Sequence, residues 1–478
     1  MKTSTFVNIT ISVVLLLFVN SCAVNPVTGK RDLMLISEER ELAMGAESDP
    51  GVIAYFGLYE DEKLQNFINV KGKEMAAISH RSHLDFKFRI LDSPVINAFA
   101  VPGGYVYFTR GILAHFNNEA EFAGVLGHEI GHVTARHSAK QYSKQLFYQG
   151  LFVVGMVASK EFRQFSDAAS QSLGLLFLKF SREDETESDR LGVEYSTRVG
   201  YDAKEMANFF KTLDRMGQQS GSERVPDFLS THPNPADRFE NVGRLAREWQ
   251  TKLNVSNLKT NRNQYLTMID GLVFGEDPRQ GFFENNVFYH PELKFEFPVP
   301  AQWKTVNTPQ QVQIAPENGK AVIIFSLAKE KTLEAAAAAV QKMDSIKVLE
   351  SKKTTVNGLP AMTMLTDQGT NLRFLTYLIK YDNYIYKFYG VSSRQDYSSY
   401  APVFINTMKN FKKLTDPAKL NRKPDRVRVK TVKSNGTVEQ ALKSYNVKSN
   451  MLEKTALLNS MKLTDNVKKG SLIKIIAK

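Results

Sequence analysis

The chain has 478 residues and one cysteine, Cys22. That scarcity excludes a disulfide framework and any cysteine-rich zinc site. Long apolar runs are also missing. Ile9 to Val19 is apolar apart from Thr10 and Ser12, and is too short for a stable bilayer-spanning helix. The next best run, Leu146 to Ala158, is broken by Tyr148, Gln149 and two glycines. No internal repeat of helical-hairpin period occurs, which excludes a helical solenoid. General disorder is excluded by what is present, 42% hydrophobic and 11% aromatic residues. Most of the chain lacks net charge. Phe411 to Lys478 holds 17 basic and 5 acidic residues, a surplus equal to the whole-chain net charge of +12. The basic character therefore belongs to a tail module. The length predicts two to four domains.

The first segment reads as an address. Lys2 precedes the short apolar run, as in a secretory signal peptide. Val19-Asn20-Ser21-Cys22 then places small residues before the cysteine, similar to a bacterial lipobox, although Asn20 is not ideal there. The expectation is a signal over residues 1–21 and a lipid-anchored mature chain starting at Cys22. Ala23 after the cysteine favours outer-membrane sorting.

The most informative stretch is His128-Glu129-Ile130-Gly131-His132. Two imidazoles four residues apart lie one turn apart on one helix face. Both can reach a single zinc, while the intervening Glu129 can take a proton from a water bound to it. Asn117 or Asn118 can cap the helix. Leu126, Ile130 and Val133 share a core-facing side. Gly124, Gly127 and Gly131 share another side, where the sequence predicts the close approach of a backbone or a substrate.

Two histidines leave a catalytic zinc one protein ligand short. Ser181 to Arg190 is a carboxylate-dense helical stretch in which Glu185, Ser188, Asp189 and Gly192 share a face. Glu185 is assigned as third ligand, and Asp189 as the acceptor that fixes an imidazole tautomer. Glu183, Asp184 and Glu187 read as a solvated face. His80, His83, His115 and His290 read as surface or packing residues. His137, five residues past His132, falls off the ligand face and reads as structural. His232 lies in a Pro-bracketed turn opening a helix. It is left open between facing the site, where it would stabilise an oxyanion, and a plain turn position.

These residues resemble the HtpX/BepA-like zinc metalloproteases (metallopeptidase family 48), a group that includes the CAAX prenyl proteases and the mitochondrial inner-membrane stress proteases. The resemblance runs from about Asn25 to Arg247. Its motifs are Asn25-Pro-Val-Thr-Gly-Lys30, Asn97-Ala-Phe-Ala-Val-Pro-Gly-Gly104 with Thr109-Arg-Gly111, the HEIGH helix, Ser181-Arg182 with Glu185 and Asp189, and Thr231-His232-Pro233. Ser188 departs from the family's usual alanine. The resemblance implies zinc on His128, His132 and Glu185, with Glu129 as general base. It also implies a regulatory or transition-state role for His232, beside Arg238. It further implies an edge strand at Asn97 and Ala98 that pairs with extended substrate, and a lid or plug from Gln145 to Ala158.

The expected architecture is multidomain. A mainly α, zincin-like protease domain with a small β-sheet spans residues 22–255. A linker with a helix (256–285) and an α+β interaction domain (286–415) follow; the latter resembles the PsbP-like fold in its Pro-x-x-Trp opening. A basic linker (416–430) leads to a basic module (431–478). That module is similar to LysM carbohydrate-binding modules, its bland alternative being a solubilising tail. The expected function is zinc-dependent hydrolysis of peptide bonds in misfolded envelope proteins. The alternative is a non-catalytic chaperone or scaffold whose zinc site His232 closes. Expected partners are proteins and peptides, the membrane through the lipid anchor on the periplasmic side of the outer membrane, and anionic envelope polymers such as peptidoglycan. No nucleic acid is expected.

Overall fold

A computed structural model describes residues 22–152, 180–219, 228, 231–232 and 238–478. The expected signal segment, 1–21, and the second half of the expected lid, 153–158, lie outside these residues. Two compact units emerge. The first combines the chain up to Ile53, Leu58–Gly275 and Arg426–Ala477; the second is Glu276–Asp425 with Ala54–Gly57.

In the first unit, strands β1 (Cys22–Val24) and β2 (Arg31–Leu33) form a hairpin. Helices α1 (Glu38–Phe56) and α2 (Glu62–Ala76) follow. A three-stranded sheet has the order β3 (Lys87–Leu91), β5 (Tyr105–Thr109), β4 (Ala98–Val101). β3 and β5 run parallel, while β4 and β5 form an antiparallel hairpin. Gly103 and Gly104 make its turn at φ of 82° and 94°, a conformation that glycine adopts without steric cost. β4 is an edge strand of that sheet and packs on the helix that carries the histidine pair.

That helix, α4 (Glu119–Thr134), follows the short helix α3 (Arg110–His115) and is buried along its whole length. Asn118 caps it, its side chain accepting from the Glu121 amide at 2.8 Å. After α5 (His137–Phe152) comes α6 (Arg182–Arg198). The two central helices touch backbone to backbone. A Cβ on Gly127 would lie 2.9 Å from the Gly192 carbonyl oxygen, and one on Gly192 would lie 3.0 Å from that of Gly124. A backbone, rather than a substrate, thus occupies the glycine side of α4, and this contact carries Glu185 to the histidines. α7 (Lys204–Gln219), α8 (Arg238–Leu253) and α9 (Arg262–Met268) complete the helical shell.

The structure differs from the sequence reading after residue 255. Tyr265, Leu266 and Ile269 are buried in the same core as α4. Strand β6 (Val273–Phe274) then joins a three-stranded sheet whose other members come from the C-terminal segment: β18 (Asp425–Thr431) at the centre and β21 (Leu472–Ala477) at the far edge. The last six residues of the expected linker at 416–430 are therefore strand. Between β18 and β21 lie α12 (Val438–Lys443) and α13 (Leu452–Leu458), giving a strand–helix–helix–strand order. Two-residue strands, β19 (Gly436–Thr437) and β20 (Asn466–Val467), pair across these helices. The segment is built into the first unit. Lys474 of β21 is fully buried and donates to the carbonyls of Ala114 (2.8 Å) and Phe116 (2.9 Å), just ahead of the Asn118 cap.

The second unit is α+β. A seven-stranded antiparallel sheet runs β10 (Lys304–Asn307), β11 (Gln311–Ala315), β12 (Ala321–Leu327), β16 (Tyr384–Ser393), β15 (Leu372–Tyr381), β14 (Leu359–Gln368), β13 (Ile346–Val356). Helix α11 (Tyr397–Lys409) covers the face bearing Phe325, Tyr386 and Phe388. Helix α10 (Leu333–Gln341) covers the face bearing Met364, Phe374 and Ile385. Side chains alternate between the two faces along β16, so Tyr386 and Phe388 enter one core and Ile385, Tyr389 and Val391 the other. A smaller sheet of β7 (Phe282–Glu284), β8 (Val287–His290), β9 (Phe295–Pro298) and β17 (Lys412–Lys413) packs into the first of these cores. Among the described residues no helix is long and apolar enough to cross a membrane.

Candidate metal centre and active site

Four buried side chains converge: His128, His132, Glu185 and His232. The Nε2 atoms of His128 and His132 stand 3.0 Å apart. Glu185 Oε1 is 3.4 Å from His132 Nε2, and Oε2 is 3.6 Å from His128 Nε2. His232 Nδ1 is 3.0 Å from Glu185 Oε1 and 3.3 Å from His128 Nε2. A tetrahedral zinc with bonds of about 2.0–2.1 Å has ligand–ligand edges of about 3.3–3.4 Å. The donor set and its spacing therefore fit such an ion, with His232 at the fourth corner.

Glu129 lies on α4 between the two histidines. It is fully buried, and neither carboxylate oxygen has a hydrogen-bond partner among the described residues. His232 Nε2 stands 3.7 Å from its Oε1. A buried carboxylate without a partner is costly, and here it faces the donor cluster. Burial pushes the Glu129 carboxyl up, against the pull of His232 and His128. Burial acts upward on Glu185 too, but His232, His132 and Arg238 outweigh it and hold Glu185 well below the usual carboxylate range. One carboxylate is thus kept anionic among the donors while the other can carry a proton, a division that suits acid–base chemistry.

The surrounding residues fix these groups. Asp189 Oδ1 is 2.9 Å from His128 Nδ1. Arg238 grips Asp189 in a bidentate pair, Nε to Oδ2 and Nη2 to Oδ1, both 2.7 Å, and its guanidinium lies 3.9 Å over the Phe210 ring. Phe180 stacks on His132 at 4.1 Å and Phe228 on His232 at 4.5 Å, two contacts that no spacing in the sequence signals. The Phe228 amide donates to the carbonyl of Ile96, next to Asn97. Asn97 and Ala98 lie at the start of β4; the Asn97 amide donates to Thr109 Oγ1 at 3.2 Å.

Two expectations are corrected. Asp184 is not solvated: it is 1% exposed and forms a capping box with Ser181 at the start of α6. Glu187 does not point away into solvent, because its Oε2 is 3.2 Å from His137 Nε2. His115 and His290 are packing residues as read, each held down to about 4 by burial.

Residues 62–246 match the model of peptidase family M48. The mitochondrial metalloendopeptidase OMA1 of Arabidopsis thaliana is 30% identical over 204 residues, 42% of this chain and 40% of that protein. The beta-barrel assembly-enhancing protease of Escherichia coli (strain K12) is 31% identical over 199 residues, 40% of each chain. The chain thus spans well under half the length of these relatives. Among solved structures, the solution structure of cyanobacterial PsbP from Synechocystis sp. PCC 6803 covers 27% of this chain and 91% of its own at 10% identity and a TM-score of 0.23.

Proposed function

We propose that the chain is a zinc-dependent endopeptidase of the bacterial cell envelope, acting on misfolded envelope proteins. The observation that carries the reading is the convergence of His128, His132 and Glu185 at zinc-ligand spacing beside the buried, unpartnered Glu129. Zinc held there supplies acidity to a water and polarises the scissile carbonyl. Glu129 accepts the water's proton as the oxygen attacks, then delivers it to the leaving amine. His232 lies near enough to stabilise the developing oxyanion. Asp189, locked by Arg238, holds His128 in the tautomer that presents Nε2 inward. Extended substrate pairs with the outer edge of β4 at Ala98, adding a strand to the sheet, while Asn97, whose backbone amide and carbonyl are both engaged by Thr109, anchors the start of that edge.

His232 has a second role in this reading. Its Nδ1 stands 3.0 Å from Glu185 Oε1 and 3.3 Å from His128 Nε2, so His232 would be able to hold the metal as a fourth protein ligand. The scaffold alternative would keep it there permanently.

The address is read from residues 1–22: a signal segment, acylation of Cys22, and an outer-membrane anchor facing the periplasm. The second unit is a PsbP-like interaction domain. The LysM-like segment 431–478, rich in lysine, attracts anionic glycan polymers.

The test is a Glu129→Gln variant assayed on a denatured protein substrate. A loss of about 10²–10⁴-fold in turnover with zinc retained is expected. Full cleavage by the variant would refute the general-base assignment.

A further inference from the structure

Spacing alone places His137 off the ligand face, because a continuous helix would turn it away. The helix is not continuous. α4 ends at Thr134, and Arg136 takes a left-handed conformation at φ 59°. The next helix begins at His137. This reversal folds His137 back over His132. It is pinned in place: Arg136 Nε donates to Glu41 Oε2 at 2.8 Å and Nη2 to the Ile36 carbonyl at 3.0 Å.

The result is a chain of buried polar contacts behind the metal centre. His132 directs Nε2 to the donor cluster, leaving Nδ1 as its outer atom. That Nδ1 is 3.0 Å from Nδ1 of His137, which is itself fully buried. His137 Nε2 in turn stands 3.2 Å from Glu187 Oε2 and 3.7 Å from Asp184 Oδ1. With two carboxylates at its Nε2, His137 is placed to donate from that atom, and its Nδ1 faces His132. Ser188 Oγ, 3.2 Å from the same Nδ1, is a further contact.

We propose that His137 is a positioning residue: its Nδ1 accepts the Nδ1–H of His132, fixing the tautomer that turns His132 Nε2 toward the metal. The two metal-facing imidazoles are then secured differently. His128 is held directly by a carboxylate, Asp189, whereas His132 is held through an intervening imidazole backed by Glu187 and Asp184. A ligand imidazole whose outer nitrogen is engaged binds metal more tightly, and losing such a partner typically costs about 10–100-fold in affinity.

This inference rests on the metal-centre reading above, and wild type is measured first to separate the two. A wild-type chain without tight zinc would refute that reading; a tight wild-type site indifferent to position 137 would refute only the present one. Zinc affinity is measured by chelator competition on the full chain, with the absorption spectrum of the cobalt(II)-substituted protein as a second readout. His137→Leu, which removes the acceptor, is expected to weaken zinc binding about 10–100-fold and to alter the cobalt spectrum. His137→Asn, whose Oδ1 takes the place of Nδ1, is expected to recover most of the affinity. Unchanged affinity in the Leu variant, or equal losses in the Leu and Asn variants at unchanged thermal stability, would overturn the assignment. If His137→Leu does not fold, Glu187→Leu probes the far end of the same chain of contacts. A zinc affinity weakened by less than the loss expected at position 137 supports the assignment, and an unchanged affinity overturns it.

Discussion

The two units bury different kinds of side chain. The core of the second is apolar on both faces of its sheet, and the polar groups buried there are mostly threonines, such as Thr366 and Thr376. The first unit buries His128, Glu129, His132, Glu185, Asp189, His232 and Arg238 within one neighbourhood, and Lys474 elsewhere. Burying charge costs several kcal/mol unless it is paired or binds a metal. A fold that only needed stability would gain nothing from such a cluster. The candidate metal centre accordingly lies in the first unit, while the second buries a mainly apolar core.

Substitutions can test that division. Phe295 is fully buried at the centre of the second unit's aromatic cluster, against Phe297, Phe325, Tyr386 and Phe411. Phe295→Ala is expected to destabilise that unit by about 3–5 kcal/mol. Hydrogen exchange would show this as faster exchange along β10 to β16. Under conditions where the variant remains folded, cleavage of a short peptide should be unaltered. A large loss of peptide turnover in that folded variant would mean that the second unit shares the chemistry.

Acid probes both units at once, because each contains a histidine that burial holds down to about 4, His115 in the first and His290 in the second. The sign follows from the depressed values. The unfolded chain takes up a proton near pH 6.5 while the folded chain does not, so stability is complete above that pH and falls as pH drops toward 4. Each site is worth up to about 3 kcal/mol over that window. His290→Phe should flatten the acid loss in the second unit and leave the acid loss of the first unchanged, as followed by pH-dependent hydrogen exchange. An unchanged slope in the second unit would show that His290 is accessible to protons in the folded state.

What the sequence reveals depends on how local the geometry is. His128, Glu129 and His132 are legible because their relation is one helical turn. Glu185 and Asp189 are legible because they share a face with Gly192, which the helix contact requires. His137 is misplaced by any helical wheel extended past Arg136, where the backbone reverses. Glu187 is missed with it, since its partner is that same histidine. The stretch 425–431 resembles a charged linker because Arg426 and Arg428 alternate with Val427 and Val429. Val427 is fully buried and Val429 packs against the same core, as in a strand half in contact with it. Lys474 gives no sign at all. A lysine in an apolar strand does not announce that it will reach the two carbonyls ahead of a helix cap more than 350 residues earlier. The seven-stranded sheet is partly legible: β12, β15 and β16 have the apolar density of central strands, whereas β13 is largely exposed and lacks it.

The most direct test of the central claim is a metal titration of the full chain. Metal is stripped with a chelator and zinc is returned in measured equivalents while cleavage of a denatured protein is followed. Cleavage is expected to disappear on stripping and to return in full at one zinc per chain. Cleavage that survives complete removal of metal, or a stripped chain that takes up zinc at one equivalent and never hydrolyses, would contradict the claim.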